Sequence, residues 1–158
     1  MKRFIMVAAL LMSVAAPAMA GDKPINLSLF TPISIAKETD SVSAFRFSLL
    51  YGKNTSVQAV DIGLVSHTTS GMSQGLAWSF VNYNEGSFTG VQLAAVNYTK
   101  ADFCGFQWSW VNVAGNAEGF QLGFVNSAQH LHGIQVGLIN IIKEDGFMPI
   151  FPIVNWSF

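Results

Sequence analysis

Apolar residues alternate with small or polar ones along most of this chain, and the alternation is phrased. The clearest unit is Gly90-Val-Gln-Leu-Ala-Ala-Val-Asn97. It returns as Gly105-Phe-Gln-Trp-Ser-Trp-Val-Asn112, Gly119-Phe-Gln-Leu-Gly-Phe-Val-Asn126 and Gly133-Ile-Gln-Val-Gly-Leu-Ile-Asn140. Looser copies start at Ala44, Ala59 and Gly75, and a Pro-rich one runs from Met148 to Asn155. The eight copies begin 15, 16, 15, 15, 14, 14 and 15 residues apart. So short a period marks a repeat architecture.

Within a copy the large apolar side chains fall at every second place, as Phe106, Trp108 and Trp110 or Phe120, Leu122 and Phe124, with Gln, Ser or Gly between. Period two over seven residues predicts a half-buried strand, because a helix would scatter these residues over all its faces. The intervening segments, such as Tyr83-Asn-Glu-Gly-Ser and Tyr98-Thr-Lys-Ala-Asp, are rich in turn formers. An all-β domain is therefore expected over 44–155. Residues 21–43 supply an N-terminal strand or cap, Asn26-Leu-Ser-Leu-Phe, and a polar loop, and 156–158 finish the last strand.

Two architectures fit one strand phrase per copy. In a β-solenoid of about eight coils of 14–16 residues, like residues stack on like at the inter-strand spacing of about 4.8 Å. In an eight-stranded up-and-down barrel of the outer-membrane type, neighbours are antiparallel and residues recur every second copy. Gly opens and Asn closes the copies at the single period, which favours the solenoid. The barrel draws support from the closing alternation Ile150, Pro152, Val154, Trp156 and Phe158, since an aromatic terminus resembles the last strand of bacterial outer-membrane barrels. On the solenoid reading Asn82, Asn97, Asn112, Asn126, Asn140 and Asn155 form a structural ladder at one corner. The rows of Phe, Trp, Leu and Val point inward, and Gln92, Gln107, Gln121 and Gln135 form one row along the outer face, read first as a second structural ladder and alternatively as a binding row for a glycan or other envelope polymer.

The phrase Gly-h-Gln-h-Gly-h-h-Asn, as it stands at Gly119 to Asn126 and Gly133 to Asn140, resembles the repeat of a family of exported bacterial surface-repeat proteins. That resemblance spans Ala44 to Asn155 and implies export and repeated β structure rather than an activity. The copies at Ala44 and Ala59 depart from it, with Arg46 and Asp61 where the others carry Gln. Similar proteins sometimes carry a polyhydroxyalkanoate synthase label. Cys104 stands in Asp102-Phe-Cys-Gly-Phe106, without the Gly-x-Cys-x-Gly elbow such chemistry needs.

Composition narrows the picture further. Of 158 residues 51% are apolar and only 11% charged, so a large apolar surface needs cover. Residues 1–20 read as a secretory signal peptide: Lys2 and Arg3, the apolar run from Phe4 to Ala16, and the cleavage signal Ala18-Met19-Ala20. Periplasm, outer membrane or cell surface is the expected location. Removing Lys2 and Arg3 leaves six basic residues against nine acidic ones, a formal charge of −3, which gives a nucleic-acid partner no electrostatic support. The single cysteine rules out an intrachain disulfide. His130 and His132 lie two apart in a turn, and His67 is distant, short of the three or four ligands of a metal site. Carboxylates are scattered singly apart from Glu144-Asp145. No catalytic residue, metal or cofactor is expected, and the chain reads as a non-enzymatic structural or interaction protein whose exposed ends could self-associate.

Overall fold

The computed structural model describes residues 22–158; the expected signal peptide lies outside them. Ten strands follow in order: β1 (Lys23–Phe30), β2 (Ile33–Ser34), β3 (Val42–Asn54), β4 (Gln58–Thr68), β5 (Met72–Asn84), β6 (Ser87–Leu93), β7 (Val96–Trp108), β8 (Val111–Leu122), β9 (Val125–Glu144) and β10 (Ile150–Ser157). There is no helix among the described residues.

From β1 through β3 to β9 every successive pairing is parallel. The chain is a β-solenoid of about eight turns. Each coil rises one strand spacing, so equivalent positions of consecutive copies stand above one another: Gly75, Gly90, Gly105, Gly119 and Gly133 are successive partners. The expected alternative, a closed antiparallel barrel, is overturned by this parallel register and by the open strand order. The physical cause is the single-copy period: Gly, Gln and Asn recur from rung to rung through the central coils, which an antiparallel neighbour cannot reproduce.

Both ends of the stack reverse direction. The two-residue β2 pairs antiparallel with β1, and β10 pairs antiparallel with β9. The Pro-rich last copy was expected to add one more parallel coil; instead the segment at Asp145 (φ +62°) and Gly146 turns the chain back. Pro152 lacks an N–H and sits where the β9–β10 register skips, a place an edge strand tolerates. Pro at the outer edge also blunts further strand addition.

The interior differs sharply from the expected one. Gln92, Gln107, Gln121 and Gln135 are fully buried, as are Asn82, Asn97, Asn112, Asn126 and Asn140. Trp78, Trp108, Trp110 and Phe124 are instead 57–59% exposed and Leu138 is 68% exposed. The inward aromatic rows are thus corrected to outward ones. Inside, space is the constraint: a Cβ at Gly123 would come 2.5 Å from the Ser109 carbonyl oxygen and 2.9 Å from the Asn112 amide nitrogen. A position with no room for a methyl group cannot take an indole. The apolar interior is small: one cluster has Phe88 and Phe103 stacked at 6.3 Å beside Ala77, Ala114, Ala117, Ala128, Leu131 and Ile142, and Ala36, Val42 and Val57 are buried nearer the N-terminal end.

The opening Gly has an equally local cause. Gly105 has φ +133°, and a Cβ there would lie 2.1 Å from the Gly90 carbonyl oxygen one rung below. Ala59 occupies the equivalent place with φ +86°, a conformation costing an L-residue roughly 1–2 kcal/mol. Ala59→Gly is therefore expected to raise the urea midpoint by an amount equivalent to about 1 kcal/mol, and Gly105→Ala to lower it by about 2–4 kcal/mol. Equilibrium denaturation followed by far-UV circular dichroism checks both.

Candidate interaction face

Two amide ladders run through the interior. Asn82 Nδ2 donates to Asn97 Oδ1 at 2.8 Å, Asn97 to Asn112 at 3.0 Å, Asn112 to Asn126 at 2.8 Å and Asn126 to Asn140 at 2.8 Å. Ser79 and Ser109 donate from the same corner to Asn82 and Asn112 at 2.6 and 2.7 Å. The glutamines form the second ladder: Gln135 Nε2 donates to Gln121 Oε1, Gln121 to Gln107 and Gln107 to Gln92, each at 2.7 Å. Donation runs toward the C-terminus in the Asn ladder and toward the N-terminus in the Gln ladder, so the two rows of amide dipoles oppose one another. Long-range cancellation accompanies short-range cooperativity within each row.

The Gln row cannot act as an outer binding surface, because a side chain satisfied by its own copies inside the coil presents nothing to a ligand. Asn155 also departs from its expected place. It pairs with Gln135 in register, not with Asn140, and donates to the Met148 carbonyl at 2.7 Å. Reversal of β10 moved it from one column to the other.

The Gln column continues below the glutamines as Ala77, Asp61, Arg46 and Asn26. Arg46 and Asp61 form a buried bidentate ion pair, Nε to Oδ1 at 2.7 Å and Nη2 to Oδ2 at 2.6 Å. Arg46 Nη1 donates to the His67 carbonyl at 3.1 Å and to Asn54 Oδ1 at 3.3 Å, and the Ser66 hydroxyl bridges both partners. These two departures from the repeat are paired with each other, a signal visible in the sequence as opposite charges at equivalent places of consecutive copies. Ala77 interrupts the column. Gln92 Nε2, which faces it, and Gln135 Oε1 at the far end are the two buried side-chain polar atoms without a protein partner among the described residues.

Outside, the same register builds an apolar face. One column runs Phe47, Ile62, Trp78, Leu93, Trp108, Leu122 and Val136, and its neighbour Phe45, Val60, Leu76, Val91, Phe106, Phe120 and Ile134. Phe80, Trp110, Phe124 and Leu138 edge it at the corner, with Phe80 and Trp110 edge-to-face at 6.4 Å. No charge interrupts these columns. On the far side a polar column, Gln58, Gln74, Thr89, Cys104, Glu118 and His132, forms a rim.

The remaining candidate groups do not assemble into a reactive centre. Cys104 is exposed and stands two rungs from His132 with Glu118 between, about 9.6 Å along the backbone stack, and no side-chain hydrogen bond joins the three. His132 meets Phe158 edge-on at 6.0 Å, whereas His130 faces Glu144 and Asp145, each at 3.4 Å. No group of three or more His, Cys, Asp or Glu is placed to hold a metal ion among the described residues. On the opposite face Tyr51 and His67 Nδ1 share a hydrogen bond of 2.6 Å, and His67 Nε2 lies 2.8 Å from Glu85. Burial pushes the Tyr51 phenol above its usual range, against the opposing pull of Lys53. His67, Tyr83 and Tyr98 continue this side as an aromatic column, with the two tyrosines stacked at 5.2 Å.

Fold and site together define a class: a parallel β-solenoid with amide ladders inside and one uncharged apolar face outside. No family model, curated protein or solved structure matches the chain.

Two substitutions probe the interior. Arg46→Met leaves the Asp61 carboxylate buried and unpaired and is expected to cost about 3–5 kcal/mol, whereas Arg46→Met with Asp61→Leu should return to within about 1 kcal/mol of wild type in urea denaturation. Ala77→Gln supplies the acceptor that Gln92 Nε2 lacks, in a rung where Ser73 replaces the bulkier Phe88. It is expected to stabilise by about 1 kcal/mol.

Proposed function

We propose that the chain is a non-enzymatic, exported protein of a bacterial envelope that acts as a structural or interaction module. The observation that carries this reading is the apolar outer face. A soluble monomer rarely exposes a contiguous apolar patch above roughly 300–600 Å². This face spans the whole stack without a charged residue in its columns. A surface so costly to leave in water serves an association, and the polar rim of Gln58, Gln74 and Thr89 gives it the anatomy of an interface.

Export is supported by Lys2 and Arg3, the apolar run that follows and Ala18-Met19-Ala20. The interaction role is supported by what the interior is made of. The amides there are taken up by one another rung to rung and Arg46 and Asp61 by their own ion pair, and Cys104, the one thiol, stands in a column that accepts Thr89, Glu118 and His132. The solenoid offers a rigid, regular surface, as repeat proteins that bind partners do.

The test is expression of the full chain in a Gram-negative bacterium, followed by cell fractionation and mass measurement. The expected product begins at Gly21 and is recovered from the envelope or periplasm. A cytoplasmic protein retaining Met1 overturns the export reading. Hydrolytic activity abolished by Cys104→Ala would overturn the non-enzymatic one.

A further inference from the structure

The apolar face is corrugated, and the corrugation has a two-fold pattern. Along its central column the residues read Trp78, Leu93, Trp108 and Leu122 on four consecutive rungs. The corner repeats the beginning of this rhythm, with Ala95 between Phe80 and Trp110: Ala95 N donates to the Phe80 carbonyl and Trp110 N to the Ala95 carbonyl. Two grooves result. One, of about 460 Å³, lies over Leu93 and Ala95 between the Trp78 and Trp108 ridges. The other, of about 490 Å³, lies over Leu122 and Gly123 beyond Trp108.

Ridge, groove, ridge, groove is the pattern that fits itself when reversed. A two-fold axis parallel to the strands, passing between the Leu93 and Trp108 rungs, turns the order end to end. It sets Trp108 of one copy over Leu93 of the other and Trp78 over Leu122. At the corner it sets Trp110 over Ala95, and Phe80 against Phe124, so the ridge-into-groove fit holds along the whole central column and at the two middle rungs of the corner. An axis along the solenoid would set ridge against ridge. We propose that this face is the interface of a homodimer of two antiparallel solenoids, packed as the layers of a β-sandwich about 10 Å apart.

Size agrees. Eight to nine rungs at about 4.8 Å, with side chains covering roughly 20 Å along the strands, give an area on the order of 800 Å² per copy, the amount a standard stable interface buries on each partner. The ends of the stack are the competing self-contact: β10, carrying Pro152, covers the C-terminal one, and the two-residue β2 covers the Ser28–Phe30 part of the N-terminal one. A lipid surface is the other occupant with suitable chemistry. The alternation of indole ridges with grooves favours a partner of fixed shape, because fluid acyl chains gain nothing from register.

The proposal rests on the reading of the chain as an interaction module, and it names the partner as a second copy. Sedimentation velocity of the exported protein at micromolar concentration is expected to show a dimer. Ala95→Trp fills the groove and should weaken dimerisation at least tenfold. Adding Trp110→Ala to it moves the ridge to the facing rung and should restore the dimer, a rescue that loss of stability could not produce. Lys100→Glu, away from the face, should leave the dissociation constant unchanged. Circular dichroism confirms that each variant folds. A monomeric wild type, a dimer indifferent to Ala95→Trp, or a double variant no better than the single one overturns the proposal. So does a wild-type monomer that floats with phosphatidylcholine vesicles, which would assign the face to lipid. Envelope recovery of a monomer defeats the dimer and leaves the envelope role standing, whereas cytoplasmic retention defeats that role and leaves the solution dimer measurable.

Discussion

Stacked amides impose the architecture of this protein. An Asn or Gln side chain buried in a narrow coil must find both a donor and an acceptor or lose about 1–3 kcal/mol for each unmet group. The rung above and the rung below are the nearest sources, one strand spacing away, and they serve only if they carry the same residue in the same register. Conservation of Gln and Asn from copy to copy is therefore a requirement of hydrogen bonding. Parallel coiling follows, since an antiparallel neighbour would place a different residue opposite. The β10 strand shows the consequence, because on reversing direction it carries Asn155 out of the Asn column and sets it against Gln135.

Once amides occupy this part of the interior, the bulky residues of the repeat phrase have one place left, while Phe88, Phe103, Leu131 and Ile142, outside the phrase, fill the small apolar cluster. Gly123 and Gly137 allow the coil to close on the Asn side chains, and no larger group fits there. The aromatic and aliphatic residues of each copy are driven to the outer surface, where the register that aligns the amides aligns them as well. The apolar face is in this sense a by-product of the ladder. The alternation of Trp78, Leu93, Trp108 and Leu122 along it is a separate choice, since the ladder constrains the inward positions and leaves the outward ones free. A partner that covered this face would bury more apolar surface than the small interior cluster does, and would link the stability of the chain to its own binding.

The N-terminal coils solve the interior problem differently. Arg46 and Asp61 replace two amides with a bidentate ion pair, and Ser66 and Asn54 complete its hydrogen bonds. A charged pair in the column is self-contained and needs no neighbour of its own kind, whereas an amide does. That difference explains how the column can change chemistry between Asp61 and Gln92, and why the break falls at a small residue, Ala77, beside an unpartnered Gln92 amide.

Much of this was legible from the chain alone. A period of fourteen to sixteen residues, with Gly opening the five central copies and Asn closing all but the first two, favours parallel stacking, because like polar groups satisfy one another when they meet from rung to rung. The alternation within each copy determines that Phe106, Trp108 and Trp110 share one side and Gln107 and Ser109 the other. Which side faces inward it does not determine, since period two is the same read from either face. Hydrophobicity by itself points to the wrong answer, as aromatics ordinarily seek the core. Only the closed coil decided it: beside the Asn column at Gly123 and Gly137 there is no room for a larger side chain, and an amide finds its partners along the stack rather than in water. The direction of the last strand was likewise a tertiary matter, set by the turn at Asp145 and Gly146 rather than by the phrase Met148 to Asn155 that resembles the others.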